Sequence, residues 1–436
     1  MQGIMAPIAQ AIQMALGPEA DRLGRETGFV QRQVKLSGST FAQTLVLGFL
    51  SHPEASYSEL NQTAAALGVE ISPQGLEQRF TLTAAKLMQR LLDLAVAQVL
   101  EVKDQTAGLL QSFRGVYIRD SSTIALPEGL QEVWRGAGGS RGETAALKLQ
   151  VNLDYRAGQV HGPMLQDGRA QDQESPYQHE QLPAGALHLA DLGYFNLERL
   201  AQDQAHGVYW ITRLKTAVRL YDSAGQEMDL LGWLQSCAAT GVAETPVQVG
   251  AQQRIPCRLV AQRVSEDMAA ARCRRLNEWA RKKQCPVSER RRQLTRWTLL
   301  LTNVGGDLLS TQQVLTLRRV RWQVELLFRL WKGQAKVDEW RSSKQPRILC
   351  EIYAKLLGLV ITHWIMAVSF WQRLDRSLPQ AISTVQKFAF SIALAITDAD
   401  SLYQVLSKLS KCLAAGCHQQ RRKTHPATFQ LVETLT

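Results

Sequence analysis

Three acidic residues and a set of spaced cations are where this sequence could do chemistry. Arg318 to Lys332 reads RRVRWQVELLFRLWK, with Arg318, Arg321, Glu325 and Lys332 spaced three, four and seven residues apart. On a helix turning about 100° per residue, that spacing gathers all four near one face. A carboxylate flanked by cations suits a metal ion held against phosphates. The same pattern also describes a solvated face carrying an i,i+4 ion pair between Arg321 and Glu325. Two aspartates stand further upstream. Asp120 follows the short apolar run GVYI (115–118) and Arg119, and Asp191 follows Leu187 to Ala190. A strand ending in aspartate presents a carboxylate at a sheet edge, although aspartate after a strand is also a common turn or cap residue. Three carboxylates meeting at a sheet edge can hold two divalent ions about 4 Å apart. Magnesium suits such an all-oxygen set.

The elements that must position these groups can be read in order. Residues 1–105 predict a helical region. Within it Ser56 caps a helix ended by Gly68, Ser72-Pro73 starts another, and a long helix runs from about Thr81 to Val102. Helix, short turn, helix suits a helix-turn-helix DNA reader, and equally any two packed helices. From residue 106 the texture becomes β. Leu147–Leu153 and Gln159–Met164 read as a hairpin, Leu187–Ala190 and Val208–Leu214 as further strands, and Asn196 as a helix cap. Three strands, then helix, strand and helix, is the pattern of a ribonuclease-H-like mixed sheet. It puts Asp120 and Asp191 at the ends of neighbouring strands and asks for a third carboxylate from a later helix. The expected organisation is a helical DNA-end-binding region (1–105), a first core part (106–214), a β-rich basic insertion (215–296), a second core part (297–372) and a helical C-terminal region (373–436). Arg318–Lys332 is expected to be one helix with Val320, Val324, Leu327, Leu330 and Trp331 as its apolar stripe.

Composition narrows the partners. The 436-residue chain is 45% hydrophobic and 20% charged, with a formal net charge of +11. Between Arg254 and Arg296 thirteen Lys or Arg face four Asp or Glu. So concentrated a cationic surface points to a polyanion, most often nucleic acid, though a merely soluble basic face has the same composition. The most apolar stretch, Leu356–Trp371, contains His363 and reads as a buried helix rather than a membrane span. The N-terminus lacks a basic region followed by an apolar run, so no signal peptide is expected. Seven scattered cysteines form no CxxC pair. Free thiols in a reducing cytoplasm are therefore expected, and zinc is not.

Taken together these stretches resemble bacterial insertion-sequence transposases of the DDE class, in the insertion-sequence-four-like group marked by a YREK signature. That signature is Tyr, two residues, Arg, three residues, Glu, six residues, Lys. Arg321, Glu325 and Lys332 match it in spacing, and Arg318 stands in place of the Tyr. RDSSTIALP around Asp120 and ADLGYFN around Asp191 resemble the family's first two acidic motifs. The resemblance runs from about residue 115 to 335. It implies catalytic, metal-ligating roles for Asp120, Asp191 and Glu325, with Mg2+ as cofactor and Mn2+ as a substitute. It also implies phosphate contacts from Arg318, Arg321 and Lys332. Arginine can grip phosphate in the tyrosine's place, but chemistry needing a phenol is not carried over. The same resemblance places Trp297, in RWTLLLT, where family members that cut through a hairpin stack a flipped base. A strand-edge core residue would look the same. Arg290, Arg291 and Arg292 are expected DNA contacts from the basic cluster. The implied protein is a cytoplasmic, nucleoid-associated transposase acting as a homodimer on transposon ends and target DNA. It would cut and paste through a hairpin intermediate. A metal-dependent nuclease without strand transfer and a non-catalytic DNA-binding derivative are the alternatives.

Overall fold

The computed structural model describes residues 5–32, 35–98, 108–138 and 143–435. Nine strands are present among them: β1 (Val116–Leu126), β2 (Ala145–Asp154), β3 (Gln159–Asp167), β4 (Leu187–Ala190), β5 (Tyr209–Arg213), β6 (Leu220–Tyr221), β7 (Val242–Val249), β8 (Ile255–Arg263) and β9 (Trp297–Thr302). They form one mixed sheet in the order β3-β2-β1-β4-β5-β9-β8-β7-β6. The first five positions in that order, with β1/β4 and β4/β5 parallel and β2/β3 antiparallel, make up the ribonuclease-H-like core. No α-helix separates β3 from β4. Short 3-10 turns at Asp172–Glu174 and Pro176–Gln178 take that place.

Chain contacts divide the protein into two compact units. One takes the described residues of Met1–Ala107, Asp120–Tyr177 and Gln323–Gln430, and the other Gly108–Arg119, Gln178–Trp322 and Leu431–Thr436. This division differs from the expected one. The predicted insertion, 215–296, lies within the second unit, and its strand β8 pairs with β9 from Arg258↔Thr302 to Arg263↔Trp297, so it continues the core sheet by hydrogen bonds. It carries β6, β7 and β8, followed by the basic region. Its cations ride mostly on two helices, Glu266–Lys283 and Glu289–Leu294. The expected boundary at residues 105 and 106, and the predicted helix end at Val102, lie outside the described residues.

In the first unit the helix Gln345–Ser369 is the core, buried continuously from Arg347 to Val368. It is long and apolar enough to cross a membrane, but its apolar window is wholly buried inside the fold. It packs on the helices Gly38–Ser51 and Leu82–Ala97. The predicted caps appear. Ser56 and Glu59 form a capping box on Tyr57–Ala66, Gly68 follows at φ 77°, and Ser72 caps Pro73–Glu77. That second helix is only five residues long, because Thr81 caps the next helix almost at once. The strand β2 is buried along its whole length, and it alternates Leu147, Leu149, Val151 and Leu153 with Lys148, Gln150, Asn152 and Asp154. Its polar side chains are therefore buried, and such groups need partners. Lys148 donates to the Ala170 carbonyl (2.6 Å), and Gln150 to Gln166 (3.0 Å). Asp154 accepts from the Arg156 and Ala157 amides, which fixes the turn into β3.

In the second unit Trp210, Leu259, Leu301 and Val249 anchor an apolar cluster on one face of β5, β9, β8 and β7. Asn196 caps the helix Leu197–Ala205. All seven cysteines are free.

Candidate active site

Asp120 is not the last residue of a strand. It is the fifth residue of the eleven-residue β1. The parallel ladder to β4, however, stops at Ile118↔Leu189. Asp120 and Asp191 each follow that last pair by two residues. Because side chains alternate with period two, residues two beyond a pair in parallel register share its sheet face. Asp191 caps a 3-10 turn, Leu192–Tyr194, directly after β4.

Arg318–Lys332 is two helices rather than one. Thr311–Val320 ends at Arg321, and Trp322–Gly333 begins on its far side. The predicted apolar stripe is otherwise kept. Val320, Val324, Leu327 and Trp331 are buried, with Phe328 added and Leu330 only half-buried. Arg318 therefore lies on the first helix, while Glu325 and Lys332 lie on the second. Glu325 sits in the first turn, where the helix macrodipole favours a carboxylate.

In the second unit, Arg321 Nε lies 3.8 Å from Asp191 Oδ1. Arg318 stands nearby among like charges. Burial, followed by the proximity of Arg213, Arg272 and Arg321, lowers its pKa to about 10, while Asp191 acts in the other direction. Arg213, Arg318 and Arg321 line one small cleft at the end of β4 and β5, with Ala190 and Thr212. Sequence reasoning missed Arg213 and Arg272. Their local signal is slight: Arg213 closes the apolar run VYWIT, and Arg272 follows three alanines.

Trp297 begins β9 opposite Arg263. Its carbonyl accepts from Arg272 (2.8 Å), and its half-buried indole packs against the apolar cluster. The same ring lines a cleft of about 520 Å³ together with Leu234, Arg263, Glu289, Arg292 and Arg296. Trp297 is thus both a core-edge residue and part of a cavity wall. Arg290, Arg291 and Arg292 are exposed on Glu289–Leu294, and only Arg292 of the three reaches this cleft.

In the first unit, Lys332 Nζ donates to the Thr123 carbonyl at 2.8 Å, on the same strand as Asp120. Asp120 Oδ1 accepts from the Ser121 amide at 2.9 Å. Ser121 in turn donates to Asp172 (2.7 Å), which Lys148 pairs at 2.8 Å. Among the described residues no three His, Cys, Asp or Glu side chains are gathered as a metal cage. The donor chemistry nonetheless fits a hard divalent ion. Asp120, Asp191 and Glu325 offer only oxygen, with no thiol or imidazole among them, and that is the set Mg2+ accepts.

A ribonuclease-H-like mixed sheet, carrying an aspartate two residues past the last β1/β4 ladder pair on each chain segment, is the frame of polynucleotide-processing enzymes of the phosphoryl-transfer class. Residues 111–361 match the family described as "Transposase DDE domain", and the chain belongs to that family. The transposase of insertion sequence element IS231F from Bacillus thuringiensis subsp. israelensis is 27% identical over 98% of this chain and 94% of its own length. That of IS231C from Bacillus thuringiensis subsp. berliner is 28% identical over 78% of this chain and 75% of its own. That of IS1151 from Clostridium perfringens is 23% identical over 80% and 78%. The chain is a DDE-class insertion-sequence transposase, an enzyme that cleaves DNA and transfers strands, and its family implies a divalent-cation requirement.

Proposed function

We propose that this transposase binds the terminal inverted repeats of its element, cuts there and joins the 3′ ends to target DNA by two-metal phosphoryl transfer, working as a cut-and-paste enzyme through a hairpin intermediate. Asp120, Asp191 and Glu325 would hold two Mg2+ ions, with Mn2+ able to replace them. Bound there, the ions supply activation of the attacking hydroxyl and stabilisation of the leaving oxygen. The observation that carries this reading is the register of β1 and β4, which sets Asp120 and Asp191 at equal distance beyond one ladder pair.

The chain's own cations do the positioning. Arg321, 3.8 Å from Asp191, and Arg318 nearby offer guanidinium groups that can grip phosphate oxygens in bidentate fashion, and Lys332 adds a point charge beside β1. Trp297 is the proposed receiver of a flipped base. Its ring borders a cleft whose size falls within the roughly 300–1,000 Å³ of small-ligand sites. Arg290, Arg291 and Arg292 contact the DNA backbone. Two ends must react in concert, so the working species is a homodimer on DNA, in the cytoplasm and associated with the nucleoid.

A labelled end duplex analysed on denaturing gels tests this. Asp120→Ala, Asp191→Ala and Glu325→Ala should each abolish metal-dependent cleavage. End-DNA binding should stay near wild type, since affinity comes mostly from cations. Wild-type protein should yield a hairpin of twice the single-strand length. Full cleavage by Glu325→Ala would refute the triad. Second-strand cutting without any hairpin species would refute the route.

A further inference from the structure

We propose that Trp279 is a second base-stacking platform, distinct from Trp297, which receives an unpaired nucleotide of a DNA strand lying across the two basic helices. Trp279 is on the helix Glu266–Lys283, and its ring is 42% exposed although it is among the largest apolar side chains of the protein. It is not part of the apolar cluster of the second unit. Arg291, from the helix Glu289–Leu294, lies over the ring with its guanidinium carbon 4.9 Å from the centroid. A cation over one face holds the indole in place and leaves its other face for a further flat group.

The surroundings specify that group. Between Arg274 and Arg292 there are eight cations, Arg274, Arg275, Arg281, Lys282, Lys283 and Arg290–Arg292, against two carboxylates, Glu278 and Glu289. All eight cations are exposed, and among the described residues none stands in an ion pair. Arg281, Lys282 and Lys283 also complement the negative end of their helix. Arg274 and Arg275 lie too far up the helix for that, and Arg290–Arg292 belong to the next one. At about 100° per residue, Arg275, Lys282 and Lys283 fall within roughly 60° of Trp279 around the helix. An aromatic ring bordered by uncompensated cations is the arrangement that binds single-stranded nucleic acid: phosphates on the cations, a base on the ring. A protein partner would instead have to supply a matching acidic surface around one isolated indole. Duplex DNA keeps its bases stacked and would leave the ring unused. The platform needs no metal ion and no cleavage, so it stands or falls separately from the triad.

Equilibrium binding of full-length protein to a fluorescent oligo(dT) of roughly 12 nucleotides, within the range of known site sizes, tests this against an abasic oligomer of equal length and charge. Wild type should prefer oligo(dT). Trp279→Ala should weaken oligo(dT) binding by roughly 5- to 150-fold, leave abasic binding and its salt dependence unchanged, and be largely rescued in Trp279→Phe. Photocrosslinking of wild-type protein to the same oligomer carrying 5-iodouracil should place the adduct on the peptide containing Trp279. Unchanged discrimination in Trp279→Ala, or adducts that avoid that peptide, would overturn the proposal.

Discussion

The core helix of the first unit and the arginine-lined cleft of the second hold charge in opposite ways. In the first, Arg347, Glu351 and Lys355 lie one helical turn apart on the core helix, each almost completely buried. Lys355 reaches Glu351 at 2.9 Å and Arg347 reaches it at 3.4 Å. Lys355 also donates to the Lys336 and Glu339 carbonyls, and Arg347 lies over the rings of Phe80, Tyr57 and Phe49 at 4.1, 4.7 and 5.1 Å. The charges are balanced among these neighbours, although Arg347 Nη1 and Glu351 Oε2 make no hydrogen bond. In the second unit, Arg213, Arg272 and Arg321 crowd Arg318, and Asp191 offsets them only in part. A self-sufficient network serves the fold. Crowded like charges cost stability, and they make physical sense at a site that receives an anion. The contrast supports the phosphate-gripping role proposed for Arg318 and Arg321.

The contrast can be broken most severely at Glu351. Glu351→Ala leaves two buried cations without their carboxylate, so unfolding stability should fall by about 3–5 kcal/mol, measured by denaturant titration. A loss well under 1 kcal/mol would mean that the carbonyls and rings alone satisfy Arg347 and Lys355.

The opposite sign is expected in the second unit. Arg318→Met removes a disfavoured charge and should stabilise the apoprotein on the order of 1–2 kcal/mol at pH 7 while weakening binding to end DNA. The sign follows from the lowered pKa, which falls from an ordinary 12.5 to about 10. The folded state holds the Arg318 proton less tightly than the unfolded state does. The penalty is therefore complete at neutral pH, and it shrinks as pH rises through about 10. Melting curves of both proteins at pH 7 and pH 10 should show the variant's advantage narrowing.

The smallest effect concerns the exposed cations. Changing Arg290, Arg291 and Arg292 together to Gln should leave stability within about 0.5 kcal/mol. It should flatten the salt dependence of DNA binding by up to about 0.9 per lost phosphate contact. An unchanged slope would assign this cluster to the solvated surface.

Much of this was legible in the sequence because it is local. Ser56, Ser72 and Asn196 cap helices by hydrogen bonds within three residues, and the β2–β3 hairpin follows from alternation and a turn. The acidic motifs and the spacing from Arg321 to Lys332 identified the family without coordinates. Other features depend on partners distant in the chain. Asp120 looked like a strand end because the apolar run stops there, yet β1 continues to Leu126. The helix break at Arg321 carries no Gly or Pro to announce it. How the insertion's strands join the core could not be read from sequence: β9, which follows the insertion in the chain, lies between β5 and β8 and joins them into one sheet. The meeting of Arg213, Arg272 and Arg318 joins a strand and two helices separated by 46 to 105 residues. Sequence by itself determined which groups could do chemistry, since that depends on residue type and short spacing. The tertiary structure alone decided which charges face one another, since that depends on how strands far apart in the chain come to pair.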